Sequence, residues 1–149
     1  MRKTLLLMAF ALLASSASAQ LPGLRKRGPA QPTQPVLQGI DALRADFAAQ
    51  SGGTLVYFGA QSVILGAPAK AVLTAQAAWL RRHPEVVARV EGYGDAGDTR
   101  DHALAVGARR AEAARDQLLL LGVPAAQVSV TSWGKERAGL PRAVTTLVR

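Results

Sequence analysis

Apolar residues change period along this chain, and the changes mark its elements. Leu37, Ile40, Leu43 and Phe47 recur at helical spacing and predict a short helix over 37–50. Ser51-Gly52-Gly53 stops it. Thr54 to Phe58 is a β-rich run and predicts a first strand. Pro68 stands where a first helical turn tolerates proline. The helix it opens runs to about His83, with Val72, Leu73, Ala75, Trp79 and Leu80 on its buried side, and Pro84 ends it. Val86, Ala88 and Val90 alternate with Val87, Arg89 and Glu91 as in a strand, and Gly92-Tyr93-Gly94 reads as a turn. Thr99 can cap the next helix. That helix continues to Leu121 with Leu104, Gly107, Ala108, Ala111, Leu118 and Leu121 as its stripe, before Gly122 and Pro124. Strands follow from Val128 to Trp133 and from Arg142 to Val148.

The order is an N-terminal helix and then β-α-β-α-β-β. It predicts a two-layer α/β sandwich over 54–149, with helices on one face of a small sheet. The last two strands, joined by a short loop, are expected to be antiparallel neighbours. There is no internal repeat.

The first residues have a different logic. Arg2 and Lys3 precede an uncharged apolar run from Leu5 to Leu13, and Ala17-Ser18-Ala19 supplies small residues before Gln20. This is the pattern of a cleaved signal peptide, residues 1–19, and places the mature protein outside the inner membrane, in a periplasm. The apolar run is too short to span a bilayer as a helix. Residues 20–36 read as a linker: Pro22, Pro29, Pro32 and Pro35 interrupt any helix, and Arg25-Lys26-Arg27 makes it basic. The remaining length suits one domain with a modest core.

Composition narrows the chemistry. The formal charge is +8; losing Arg2 and Lys3 with the signal leaves +6. Basic excess in the envelope points to anionic wall or lipid partners, or serves solubility alone. Nucleic acid is set aside on location, and no basic stripe is interleaved with aromatics. Cysteine is absent, so the chain has no disulfide, no thiol nucleophile and no thiolate metal site. Gln20 stands where a lipid-anchored bacterial protein needs a cysteine.

No catalytic constellation appears, and neither a phosphate loop nor a dinucleotide fingerprint. His83 sits at a helix end, where histidine ordinarily caps carbonyls. Asp95, Asp98, Asp101 and His102 match no calcium or zinc spacing, and acids at a helix start answer the helix dipole. No metal or other cofactor is expected. The segment Val90 to Arg115 offers more. Asp95 can take an ammonium, an arginine, Arg109 or Arg110, can clasp a carboxylate, and the helix start offers N–H groups near Gly94 and Thr99. Together they would suit a zwitterion. Thr99 to Arg110 spans about 16 Å of helix, so Asp95 meets Arg110 only if the loop folds back. From these residues alone, a loop acid with surface arginines remains the simpler reading.

The stretch Gly92-Tyr93-Gly94-Asp95 through Arg109-Arg110-Ala111 resembles the peptidoglycan-binding motif of OmpA-like domains. The likeness is greatest to the peptidoglycan-associated lipoprotein branch, here without the lipidated cysteine. Val56-Tyr57-Phe58, Ala77-Ala78-Trp79-Leu80, Val90-Glu91-Gly92, Leu121-Gly122-Val123 and Trp133 to Arg137 resemble that family in the same order. The resemblance implies a non-catalytic wall binder that holds the diaminopimelate of the peptide stem. Asp95 then takes its amine and Arg110 a carboxylate, with Thr99, Gly94 and Arg109 nearby. The chain departs from the family at Tyr93, at Asp98 in place of glycine, at Ala103 in place of asparagine, at Gly59 to Gln61 in place of aspartates, and at Pro141 in a shortened loop. These departures leave a competing reading open, a module of the same fold that binds an envelope protein partner.

Overall fold

The computed structural model describes residues 39–137 and 141–148. The expected signal peptide and basic linker lie outside them. The elements are α1 (Ile40–Gln50), β1 (Leu55–Tyr57), α2 (Ala67–Arg82), β2 (Ala88–Tyr93), α3 (Arg100–Leu120), a short 3-10 turn (Ala125–Gln127), β3 (Val128–Gly134) and β4 (Arg142–Leu147). The mixed α/β architecture is the one the periodicity predicts.

Strand order is β1-β4-β2-β3. β4 pairs antiparallel with both β1 and β2, while β3 runs parallel to β2. The expectation that the last two strands are neighbours is therefore corrected. The α3 crossover returns the chain parallel to β2, as β-α-β units require. β4 then fills the gap between β1 and β2.

One face of the sheet carries the core. Val56, Ala88, Val90, Ala143 and Leu147 are buried against Leu73, Ala77, Leu80, Ala111, Ala114 and Leu118 of the helices. Phe47 meets Trp79 edge to face at 5.1 Å and brings α1 onto α2. Trp79 Nε1 donates to Asp46 Oδ2 at 2.8 Å, and Arg44 Nε donates to the Leu147 carbonyl of β4. Gln76, also fully buried, donates to the Gly53 carbonyl and accepts from the Thr145 hydroxyl. The described residues contain no helix long and apolar enough to cross a membrane.

Two further expectations change. Gly92 and Tyr93 belong to β2, not to a turn. A side chain on Gly92 would overlap the Gly107 carbonyl, so the glycine serves close packing of α3 on β2. Leu104, expected on the buried stripe, is 48% exposed, whereas Ala103, Val106 and Arg110 are buried. Small residues, Ala103, Gly107, Ala111 and Ala114, let α3 approach the sheet along most of its buried side, and Leu118 fills the core at its far end.

Candidate functional site

The site forms where β2 ends and α3 begins. Gly92 against Gly107, and Gly94 against Ala103, hold the first turns of α3 beside the end of β2. A side chain leans toward the N-terminus of its helix, so Arg110 points back at the loop that follows β2. The 16 Å obstacle disappears because the helix doubles back past the strand.

Arg110 Nη2 donates to Asp95 Oδ2 at 2.8 Å. Arg110 is fully buried, and Asp95 keeps 14% of its side-chain surface exposed. The guanidinium also donates to the Tyr93 carbonyl from Nη1 (2.8 Å), to the Ser62 carbonyl from Nε (2.8 Å) and to the Gly59 carbonyl from Nη2 (3.4 Å). Its carbon lies 5.6 Å from the centre of the Phe58 ring. A buried charge demands this saturation, because an unpaired one costs several kcal/mol or more. Arg110 thereby ties the loop after β1 to the loop after β2.

Asp98 lies beside this pair. Its Oδ1 accepts from Gln61 Nε2 at 3.1 Å, and its carbonyl accepts from Lys135 Nζ at 2.7 Å. Its Oδ2 is buried without a hydrogen-bond partner, 3.6 Å from His102 Nε2. Gln61 has a φ of 53°, the left-handed region that costs an ordinary residue about 1–2 kcal/mol. In the sequence Gly59 to Gln61 stand out only as a departure from the family's aspartates, and Ser62 not at all. Gly59 and Ser62 act through backbone carbonyls, which leave no trace in side-chain chemistry.

The remaining candidates divide. Thr99 caps α3, its hydroxyl accepting from the His102 N–H at 3.3 Å. Gly94 is buried and its N–H donates to the Gly134 carbonyl at 2.9 Å. Arg109 is exposed. His83 stacks on Trp79 at 3.9 Å, so it packs at the end of α2 away from the Asp95 loop.

The chain belongs to the OmpA family, whose model matches residues 57–143. Its relatives include the "Peptidoglycan-associated lipoprotein" of Agrobacterium fabrum, 44% identical over 57% of this chain and 48% of that protein. That of Rhizobium meliloti is 41% identical over the same shares. The chain thus spans about half the length of the curated relatives it matches. Among solved structures, the peptidoglycan-associated lipoprotein from Burkholderia pseudomallei superposes with a TM-score of 0.62. It is 32% identical, over 65% of this chain and 92% of that one. The periplasmic domain of Helicobacter pylori MotB shares the fold, with a TM-score of 0.53 at 23% identity, over 62% of this chain and 72% of that one.

Proposed function

We propose that the protein is a non-catalytic peptidoglycan-binding domain of the bacterial envelope, and that the Asp95–Arg110 site takes the diaminopimelate of the peptide stem. The observation that carries this is the 2.8 Å pair between a partly exposed Asp95 and a buried Arg110, set in a family with peptidoglycan-associated relatives. The ligand's ammonium docks on Asp95. The Asp98 carboxylate beside it adds negative charge that favours the same ammonium, which gives the departure at that position a use. The ligand's carboxylate accepts a hydrogen bond from Arg110 Nη2 in place of the Gly59 carbonyl, whose bond is the longest of the four at 3.4 Å. Thr99 caps the adjoining helix, whose positive end favours the same carboxylate. Arg109 lies outside this contact set, on the exposed side of α3.

Export by residues 1–19 would deliver the domain to the periplasm beside the wall and outer membrane. Purified sacculi test the reading. Wild type is retained in the pellet, and Asp95→Asn is released while its circular dichroism stays unchanged. Equal retention of both overturns the site, and failure of wild type to sediment overturns the function. A protein partner would use a different surface, the face of the sheet opposite the helices.

A further inference from the structure

Opposite the helices, the sheet turns a second face outward. The register places Leu55 beside Val144, Tyr57 beside Arg142, Arg89 beside Thr146 and Ser129, and Glu91 beside Val144 and Thr131. These residues alternate with those buried under α2 and α3, so they lie on the other side. Tyr57 is 51% exposed and Leu55 39%.

At the β2 end nearest the Asp95 loop this face carries an alternation of aromatic rings and arginines. The Arg142 guanidinium lies 4.6 Å from the centre of the Tyr93 ring, and that of Arg137 lies 3.9 Å from Trp133. Tyr93 donates its hydroxyl proton to Glu91 at 3.0 Å, and Arg137 approaches the same carboxylate at 3.8 Å. Arg89, Arg137 and Arg142 thus share this face with one acid, Glu91, which is buried and whose Oε2 is already engaged by Tyr93. Arg142 Nε is buried and has no hydrogen-bond partner among the described residues, so its Nη groups are the ones left to meet a ligand. Guanidinium groups held over rings lose little freedom when they bind a carboxylate, and they present paired donors to it. At the free edge of β1, a hollow of about 310 Å³ lined by Leu55, Tyr57, Pro68, Ala69 and Val72 adjoins the face. Tyr, Trp and Arg around an apolar patch are the residue types that dominate protein–protein interfaces.

We infer that this sheet face, through Arg137, Arg142 and the exposed Tyr57, docks an acidic, partly apolar polypeptide segment of a partner protein. Carboxylates of the segment pair with Arg142 and Arg137, and an apolar side chain enters the hollow beside Tyr57. The excess of positive charge on the face sets the sign of the partner. Because the face and the Asp95 site are built from different side chains, the protein can hold both ligands at once.

The test is an NMR titration of the folded protein at physiological ionic strength. The probe is a synthetic peptide of repeated Glu-Glu-Leu triplets, with a Lys-Lys-Leu peptide as control. The acidic peptide should shift the Arg137 and Arg142 Nε–H signals and the Tyr57 ring, and the basic peptide should shift neither. Arg137→Glu and Arg142→Glu should each weaken binding at least about tenfold, a change of about 1.4 kcal/mol. Asp95→Asn should leave it unchanged, which separates this surface from the wall site. Shifts confined to the Asp95 loop, or no shifts, overturn the inference. Shifts that grow with protein concentration alone assign the face to a second copy. Stronger, Arg142-dependent binding to phosphatidylglycerol vesicles assigns it to lipid. Either result overturns the peptide assignment.

Discussion

Gly92 of β2 lies directly beneath Gly107 of α3, so close that neither position has room for a side chain. A Cβ on Gly92 would overlap the Gly107 carbonyl, whereas one on Gly107 would meet Ser132 Oγ at 2.5 Å and the Gly92 carbonyl oxygen at 2.9 Å. The two obstacles differ in degree: the first is a backbone overlap that nothing can relieve, while in the second the nearest atom is a rotatable hydroxyl and the backbone contact is looser. Gly92→Ala should therefore destabilise by about 3 kcal/mol, the upper range for overpacking. Gly107→Ala should cost less, since alanine recovers about 1 kcal/mol of helix propensity. Adding Ser132→Ala should restore part of the loss. Urea unfolding of the three variants measures the order.

Arg110 should be the most sensitive polar residue of the site. Replacing it with alanine leaves Asp95 and the carbonyls of Tyr93, Ser62 and Gly59 without their donor. Loss of one member of a buried pair costs about 3–5 kcal/mol. Asp95 is nearer solvent, so Asp95→Asn should cost clearly less. Chemical denaturation of both variants checks the asymmetry, and a larger loss from Asp95→Asn would contradict it.

Thr99 should act on stability through its cap. Thr99→Ala removes the acceptor for the His102 N–H and should cost about 1 kcal/mol. Thr99→Ser keeps the hydroxyl and should be close to neutral. Thermal melts followed by circular dichroism distinguish the two.

Tyr93 sets an alkaline limit. Burial pushes its phenol above the ordinary range, and the hydrogen bond to Glu91 and that carboxylate's charge push it further. A folded value above the unfolded one means the stability is fully present below about pH 10 and is lost as pH rises through the folded value. Tyr93→Phe should remove that part of the alkaline decline. Urea midpoints measured from pH 8 to 11 would show it as a flatter profile.

Asp46 sets the opposite limit. The hydrogen bond from Trp79 Nε1, then that from Gln50, holds its carboxyl below the usual range. Its contribution is present above the unfolded value near 4 and is lost as pH falls through the lower folded value. Asp46→Asn should flatten the acid side of the stability profile. Tryptophan fluorescence during acid titration reports directly on Trp79.

Much of this protein was legible in its sequence. Periodicity placed the helices and strands, since burying one face of an element forces its period on the apolar residues. Thr99 announced a helix start through its own hydroxyl. The resemblance to OmpA-like domains singled out Asp95 and Arg110 as partners, which residue chemistry alone did not. Strand order, the approach of Gly92 to Gly107 and the burial of Arg110 came only from the tertiary structure. A short loop between the last two strands suggested a hairpin, and the crossover geometry instead placed β4 on the far side of β2. Arg110 reads as a surface residue because arginine is usually solvated. It is buried here because two carbonyls of the loop after β1, the Tyr93 carbonyl at the end of β2 and one aspartate converge on four of its five N–H groups. Local sequence determines what each segment can bury or cap. Convergence of groups from distant segments is a property of packing, and packing alone decided that Arg110 and Asp95 form one site.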